Sequence, residues 1–143
     1  MVCTFFGHRD SPTGVADALR AVLIDLIEKT GVNEFLIGKQ GAFDQIAANV
    51  LKESKARYTQ IRCTSVCAYM PTARQVNDDL DTVYPEEVAM TPSRFAIDRR
   101  NRWMLERADI VVVYVKSPVG GAAKFKAMAE SKKKMVINLA EKL

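Results

Sequence analysis

Apolar and polar positions along the chain follow two alternating rhythms. Short apolar runs recur at residues 2–6, 34–37, 60–67, 110–115 and 135–139, with the length and composition of strands. Between them lie stretches with helical spacing. Val15, Ala18, Leu19, Val22, Leu23, Leu26 and Ile27 make one apolar stripe, because residues three and four apart share a helix face. Ser11-Pro12 predicts the start of that helix, with an N-cap followed by a first-turn proline, and Gly31 predicts its end. A second helix is expected from about Gly41, carrying Phe43, Ile46, Ala47, Val50 and Leu51. A third is expected over 93–107 and a fourth over 121–133.

The run 110–115 is apolar throughout, as in a central parallel strand covered on both faces. Strands alternating with helices predict βαβ units with right-handed crossovers. The expected fold is therefore α/β: one domain, residues 1–143, with a doubly wound sheet of about five mainly parallel strands in the order 3-2-1-4-5 and helices on both faces. Ligands of such sheets bind beyond the carboxyl ends of the strands, where the strand order reverses. Residues 68–91 fit neither rhythm. They hold Pro71, Asn77, Asp78, Asp79 and Pro85, and a loop that long is usually functional or mobile.

Composition narrows the picture. The chain has 143 residues, 48% hydrophobic and 27% charged, which is ordinary globular usage. No apolar run approaches the roughly 18 to 20 residues of a membrane span. Met1-Val2-Cys3-Thr4 lacks the basic opening of a signal peptide. Cys3, Cys63 and Cys67 are odd in number and match no disulfide or zinc spacing. With His8 the lone histidine, no metal centre and no cofactor are expected. Buried reduced thiols point to a reducing compartment and a cytoplasmic location. The net charge of +4 mildly favours anionic partners. Lys132-Lys133-Lys134 suits the negative end of a helix, with a nucleic-acid patch as the other reading.

Three loops at the predicted carboxyl ends of strands carry glycine. They are Gly7-His8-Arg9-Asp10, Gly38-Lys39-Gln40-Gly41 and Lys116-Ser117-Pro118-Val119-Gly120-Gly121. In a parallel sheet all three lie on one edge. Glycine lets backbone approach a ligand, and the helices that follow offer free N–H groups to an anion. A phosphate-containing ligand is expected there, a nucleotide above all.

The third helix adds Asn101, which falls in the apolar stripe of Ile97, Leu105 and Ala108. It either bonds neighbouring backbone or points at the ligand loops. Arg100 flanks the stripe and offers the forked geometry that suits phosphate; Arg99 points further outward. Tyr69, Met70 and Tyr84 either stack on a base or pack on the sheet. His8 either bonds phosphate or acts as acid or base, with a positional role as the alternative. Asp44 in the first turn of the second helix and Arg100 are the candidate catalytic pair; favourable charge at a helix start is the alternative for Asp44.

The motifs Phe6-Gly7-His8-Arg9, Gly38-Lys39-Gln40-Gly41-Ala42-Phe43-Asp44 and the stretch Arg99 to Lys124, with Gly120-Gly121-Ala122-Ala123-Lys124, resemble the SLOG superfamily of Rossmann-like domains. The likeness spans nearly the whole chain and is strongest to the small YpsA-like branch. It implies a site for nucleotide-derived ligands. Enzymatic relatives, the LOG-type phosphoribohydrolases, cleave the base from a nucleoside monophosphate and carry Pro-Gly-Gly-x-Gly-Thr followed by glutamates. Arg99 or Arg100 matches their helix arginine, and Gly120-Gly121 their glycine pair. Lys124 stands in the segment where they place acid. The expected function is thus a nucleotide sensor or binding module, with N-glycosidic cleavage of a nucleotide and nucleic-acid binding as alternatives. Self-association through helix faces is a further expectation, with the exposed side of Trp103 as its contact or, alternatively, Trp103 packed under the long segment.

Overall fold

The apolar runs assemble side by side into one sheet. In a computed structural model describing residues 1–76 and 80–143, the strands are β1 (Val2–Gly7), β2 (Glu34–Ile37), β3 (Arg62–Val66), β4 (Asp81–Val83), β5 (Ile110–Tyr114) and β6 (Met135–Asn138). Every described pairing is parallel, in the order β4-β3-β2-β1-β5-β6. This is the expected doubly wound α/β arrangement with one strand more than anticipated, an edge strand drawn from the 68–91 stretch. That stretch is therefore not a plain loop. It also holds the short helices α3 (Ala73–Val76) and α4 (Glu86–Ala89). Asn77, Asp78 and Asp79 lie outside the described residues.

The helices α1 (Val15–Asp25) and α2 (Gly41–Arg57) cover one face of the sheet. Phe5, Phe35, Ile37, Cys63, Val112 and Tyr114 point into that layer, against Leu19, Leu23, Phe43 and Leu51. The helices α5 (Ala96–Arg107) and α6 (Gly121–Ser131) cover the other. There Phe6, Leu36, Val66, Val111 and Val113 meet Met104, Leu105, Phe125 and Ala129. Odd and even positions of β5 thus feed opposite cores, and all five of its residues are buried, as expected of a strand covered on both faces.

Local chemistry sets the element ends. Helix α1 begins at Val15, not at Pro12, because Pro12 and Thr13 lie in turns whose carbonyls accept from Val15 N and Ala16 N at 3.1 and 3.0 Å. Ser11 Oγ donates to His8 O at 2.6 Å and caps nothing. A wider turn, Leu26–Thr30, extends α1 to Gly31, whose φ of 81° ends it. Helix α5 is preceded by a tight turn over Ser93–Phe95. Helix α6 stops at Ser131, and Lys133 adopts a left-handed φ of 59°.

Helices α1 and α2 follow β1 and β2 on one face, and α5 and α6 flank β5 on the other. The winding reverses between β1 and β5, so the carboxyl ends of these two strands open a crevice.

Among the described residues no helix is long and apolar enough to cross a membrane. Cys3, Cys63 and Cys67 are free and buried, and burial pushes the Cys63 thiol up to about 11.

Candidate functional site

A cleft of about 360 Å³ lies at that reversal. Its apolar lining comes from Phe5, Phe6, Ile97 and Met104. Its polar rim comes from four places: Gly7, His8 and Arg9 after β1; Gln40 and Asp44 at the start of α2; Arg100 and Asn101 on α5; and Gly120 and Gly121 at the start of α6. A second cavity of about 250 Å³ adjoins it, lined by Gly38, Lys39, Gly41 and Ser65 among others, with Asp44 on both.

The glycines play different parts. A Cβ on Gly7 would fall 2.2 Å from the ring of Phe43, so this glycine makes room for the core. Gly38 likewise makes room for Arg100. Gly41 has a φ of 84° and lies against the stem of Arg9, and Ala42 N donates to Arg9 O at 3.0 Å. Around Gly120 and Gly121 there is open space. No side chain caps α6, so its first N–H groups face the cleft mouth with the positive end of the helix dipole.

Arg100 is the largest fully buried side chain, 2% exposed. It sits at helical spacing from Ile97 and Met104, inside the stripe and not beside it. Its Nη1 donates to Val66 O at 3.1 Å, its Nη2 to Gln40 Oε1 at 2.6 Å and its Nε to Asn101 Oδ1 at 2.8 Å. All three acceptors are neutral. Among the described residues, no carboxylate forms an ion pair with it. Burial disfavours its charge and the field of Asp44 supports it. A buried cation whose hydrogen-bond partners are all neutral, with Asp44 acting on it only through space, gives this part of the cleft a positive wall.

Asp44 is half-buried, and its Oδ2 accepts from Gln40 N at 2.8 Å. Burial raises its carboxyl to about 6, against the lowering effects of that hydrogen bond and of Arg100.

His8 is fixed by backbone. Its Nε2 accepts from Lys116 N at 2.9 Å and from Ser117 N at 3.3 Å. Its proton therefore sits on Nδ1, and the ring ties the β1 loop to the β5–α6 loop. Asn138 holds that loop from the β6 side, accepting from Val115 N at 3.1 Å and donating to Val115 O at 2.9 Å. Ser117 Oγ accepts from Val119 N at 3.3 Å within the loop.

The cleft thus gathers Gly7, His8, Arg9, Gln40, Asp44, Arg100, Asn101, Gly120 and Gly121, while Gly38, Lys39 and Gly41 line the adjoining cavity. Tyr69, Ser117 and Lys124 line neither. Tyr69 is exposed and donates to Ser93 O at 3.2 Å. Lys124 is held by Asp98, which also binds Arg102. Burial alone would raise the Asp98 carboxyl, but hydrogen bonds from Lys124 and Arg102 outweigh it and hold it below the usual range. Met70 is exposed, and Tyr84 packs against Val88 and Ala96. Trp103 is half-buried against α4, with the Arg107 guanidinium 3.7 Å above its ring. Arg99 is half-buried, and its Nη1 lacks a hydrogen-bond partner, 3.9 Å from Glu106. The apolar lining escaped sequence reasoning, although Phe5 and Phe6 directly precede Gly7. Among the described residues no cluster of His, Cys, Asp or Glu is suited to a metal ion.

No protein-family model matches the chain, and no curated protein does.

Proposed function

We propose that this is a SLOG-type, Rossmann-like domain that binds a nucleotide or nucleotide-derived phosphate in the cleft between β1 and β5, as a sensor or binding module. The observation that carries the reading is Arg100: a buried guanidinium with neutral partners behind a cleft that also meets the open N-terminus of α6. An anion entering there adds negative charge beside a cation whose direct partners are neutral, and the half-buried Ile97 among the apolar lining residues suits a base or sugar face. Exposed Arg9 adds a second cation at the lip. The three buried free thiols support a reducing, cytoplasmic setting.

Calorimetry against AMP, ADP-ribose and cyclic nucleotides tests the reading. Saturable heat that weakens with salt is the expected result. Absence of heat from all of them at millimolar concentration defeats it.

One observation favours a second reading, cleavage of an N-glycosidic bond. Asp44 stands in the cleft with its carboxyl at about 6, suited to proton transfer near neutral pH. Chromatography of AMP incubated with the protein would then show adenine and ribose 5-phosphate, and Asp44→Asn would abolish their release.

A further inference from the structure

A guanidinium has only donors, so an amide that meets it must present oxygen. Gln40 Oε1 and Asn101 Oδ1 both turn to Arg100, at 2.6 and 2.8 Å. The orientation of both carboxamides is thereby fixed, with each NH2 group directed away from the arginine. Both residues line the cleft. Among the described residues neither NH2 group has an acceptor, and neither is among the buried side-chain atoms lacking one. Both nitrogens therefore keep solvent-accessible area, on residues that line the cleft. Each amide dipole runs from its oxygen at the cation to its NH2 at the cleft, so the charge of Arg100 is passed outward and strengthens both donors.

We propose that Arg100 is a positioning residue. It holds Gln40 and Asn101 with their NH2 ends toward the cleft, and those two amides, rather than the guanidinium, bind the phosphate oxygens. This rests on the nucleotide reading above and deepens it. Three of the five guanidinium donors are taken by Val66 O, Gln40 Oε1 and Asn101 Oδ1, and the side chain is almost wholly buried, which keeps it from gripping the ligand itself. Glutamate and aspartate at these positions would bind the arginine equally well and present oxygen to an anion. The amide form of both side chains is what makes the wall attractive to phosphate.

The test is a set of proton–nitrogen spectra of the full chain titrated with AMP, ribose 5-phosphate and adenosine. The side-chain NH2 signals of Gln40 and Asn101, assigned from their loss in Gln40→Met and Asn101→Leu, shift with AMP and ribose 5-phosphate and stay still with adenosine. Each variant weakens AMP about tenfold, the effect of one hydrogen bond to a charged group. In Arg100→Lys, which keeps charge but cannot orient two amides, the NH2 signals lose their response while the backbone amides of Gly120 and Gly121 keep theirs. If Gly120 and Gly121 shift with AMP in the natural chain and the two NH2 pairs do not, nucleotide binding stands and the positioning role falls. A response to adenosine alone, or an unchanged NH2 response in Arg100→Lys, overturns it as well. No shift anywhere with any probe removes both readings.

Discussion

The guanidinium of Arg100 occupies the space that a side chain on Gly38 would need. A Cβ built on Gly38 would stand 2.7 Å from Arg100 Cζ and 2.8 and 2.9 Å from its two terminal nitrogens. The two residues come from the end of β2 and the middle of α5, so this contact carries the β2–α2 loop against the helix that bears the cation. Gly38→Ala obliges the guanidinium to shift, and its burial and three hydrogen bonds make that shift costly. The expected loss is about 1 to 3 kcal/mol, as for other overpacked sites, read from the denaturant midpoint. A midpoint within experimental error of the natural chain would contradict the contact.

Asp44 predicts a pH dependence of stability. Its carboxyl is raised from 3.8 to about 6 in the fold, chiefly by burial. The folded chain therefore holds the proton more tightly than the unfolded one. This contribution is fully present at low pH, declines as pH rises from about 4 to about 6, and stays lost above. Asp44→Asn keeps an acceptor for Gln40 N and never ionises. It is expected to stabilise the protein by up to about 3 kcal/mol near neutrality and to give no advantage below about pH 4. Thermal melts across that range check both the size and the direction. The same variant removes a negative charge from the cleft, so under the proposed nucleotide reading AMP affinity near neutrality should rise.

His8 predicts a difference between two substitutions. The amides of Lys116 and Ser117 both use its Nε2 as acceptor. Alanine leaves them to water, and about 1 kcal/mol of stability should go, with faster hydrogen exchange at those two amides. Glutamine places an oxygen near the position of Nε2 and should restore most of the protection. Equal exchange in His8→Ala and His8→Gln would show that the loop does not depend on this acceptor.

Most of the sheet was legible because its signals are local. The run at Glu34–Ile37 gives β2 at its observed bounds, and the unbroken apolar stretch 110–115 marks the strand buried on both faces. The edge strand β4 was not legible. It spans only Asp81–Val83, too short for alternation to register, and its pairing partner β3 defines it. The start of α1 was misplaced because Ser11-Pro12 has the composition of a helix start while the chain spends those residues in turns.

The candidate site was legible as a set of loops and less so as a set of side chains. Parallel topology alone brings the loops after β1, β2 and β5 to one edge. The inward position of Arg100 is written in its spacing from Ile97 and Met104, but its charge argued for the rim. The neutral acceptors Val66 O and Gln40, distant in sequence, together with the adjacent Asn101, make its burial tolerable. At Gly7 and Gly38 sequence shows a missing side chain without showing that Phe43 and Arg100 pack into the space it would need.

The pairing of β1 with β5 sets the order in which the chain can be assembled. Cys3 lies opposite Ile110, so the strand made first waits for one made more than a hundred residues later before both its edges are closed. Until then a nascent or truncated chain ending before β5 exposes the open hydrogen-bonding edge of an apolar strand, a template for pairing with other chains. Such late, long-range closure makes folding slow for a domain of this size. Because the cleft has one wall on each side of that seam, the site cannot form before β5 is paired.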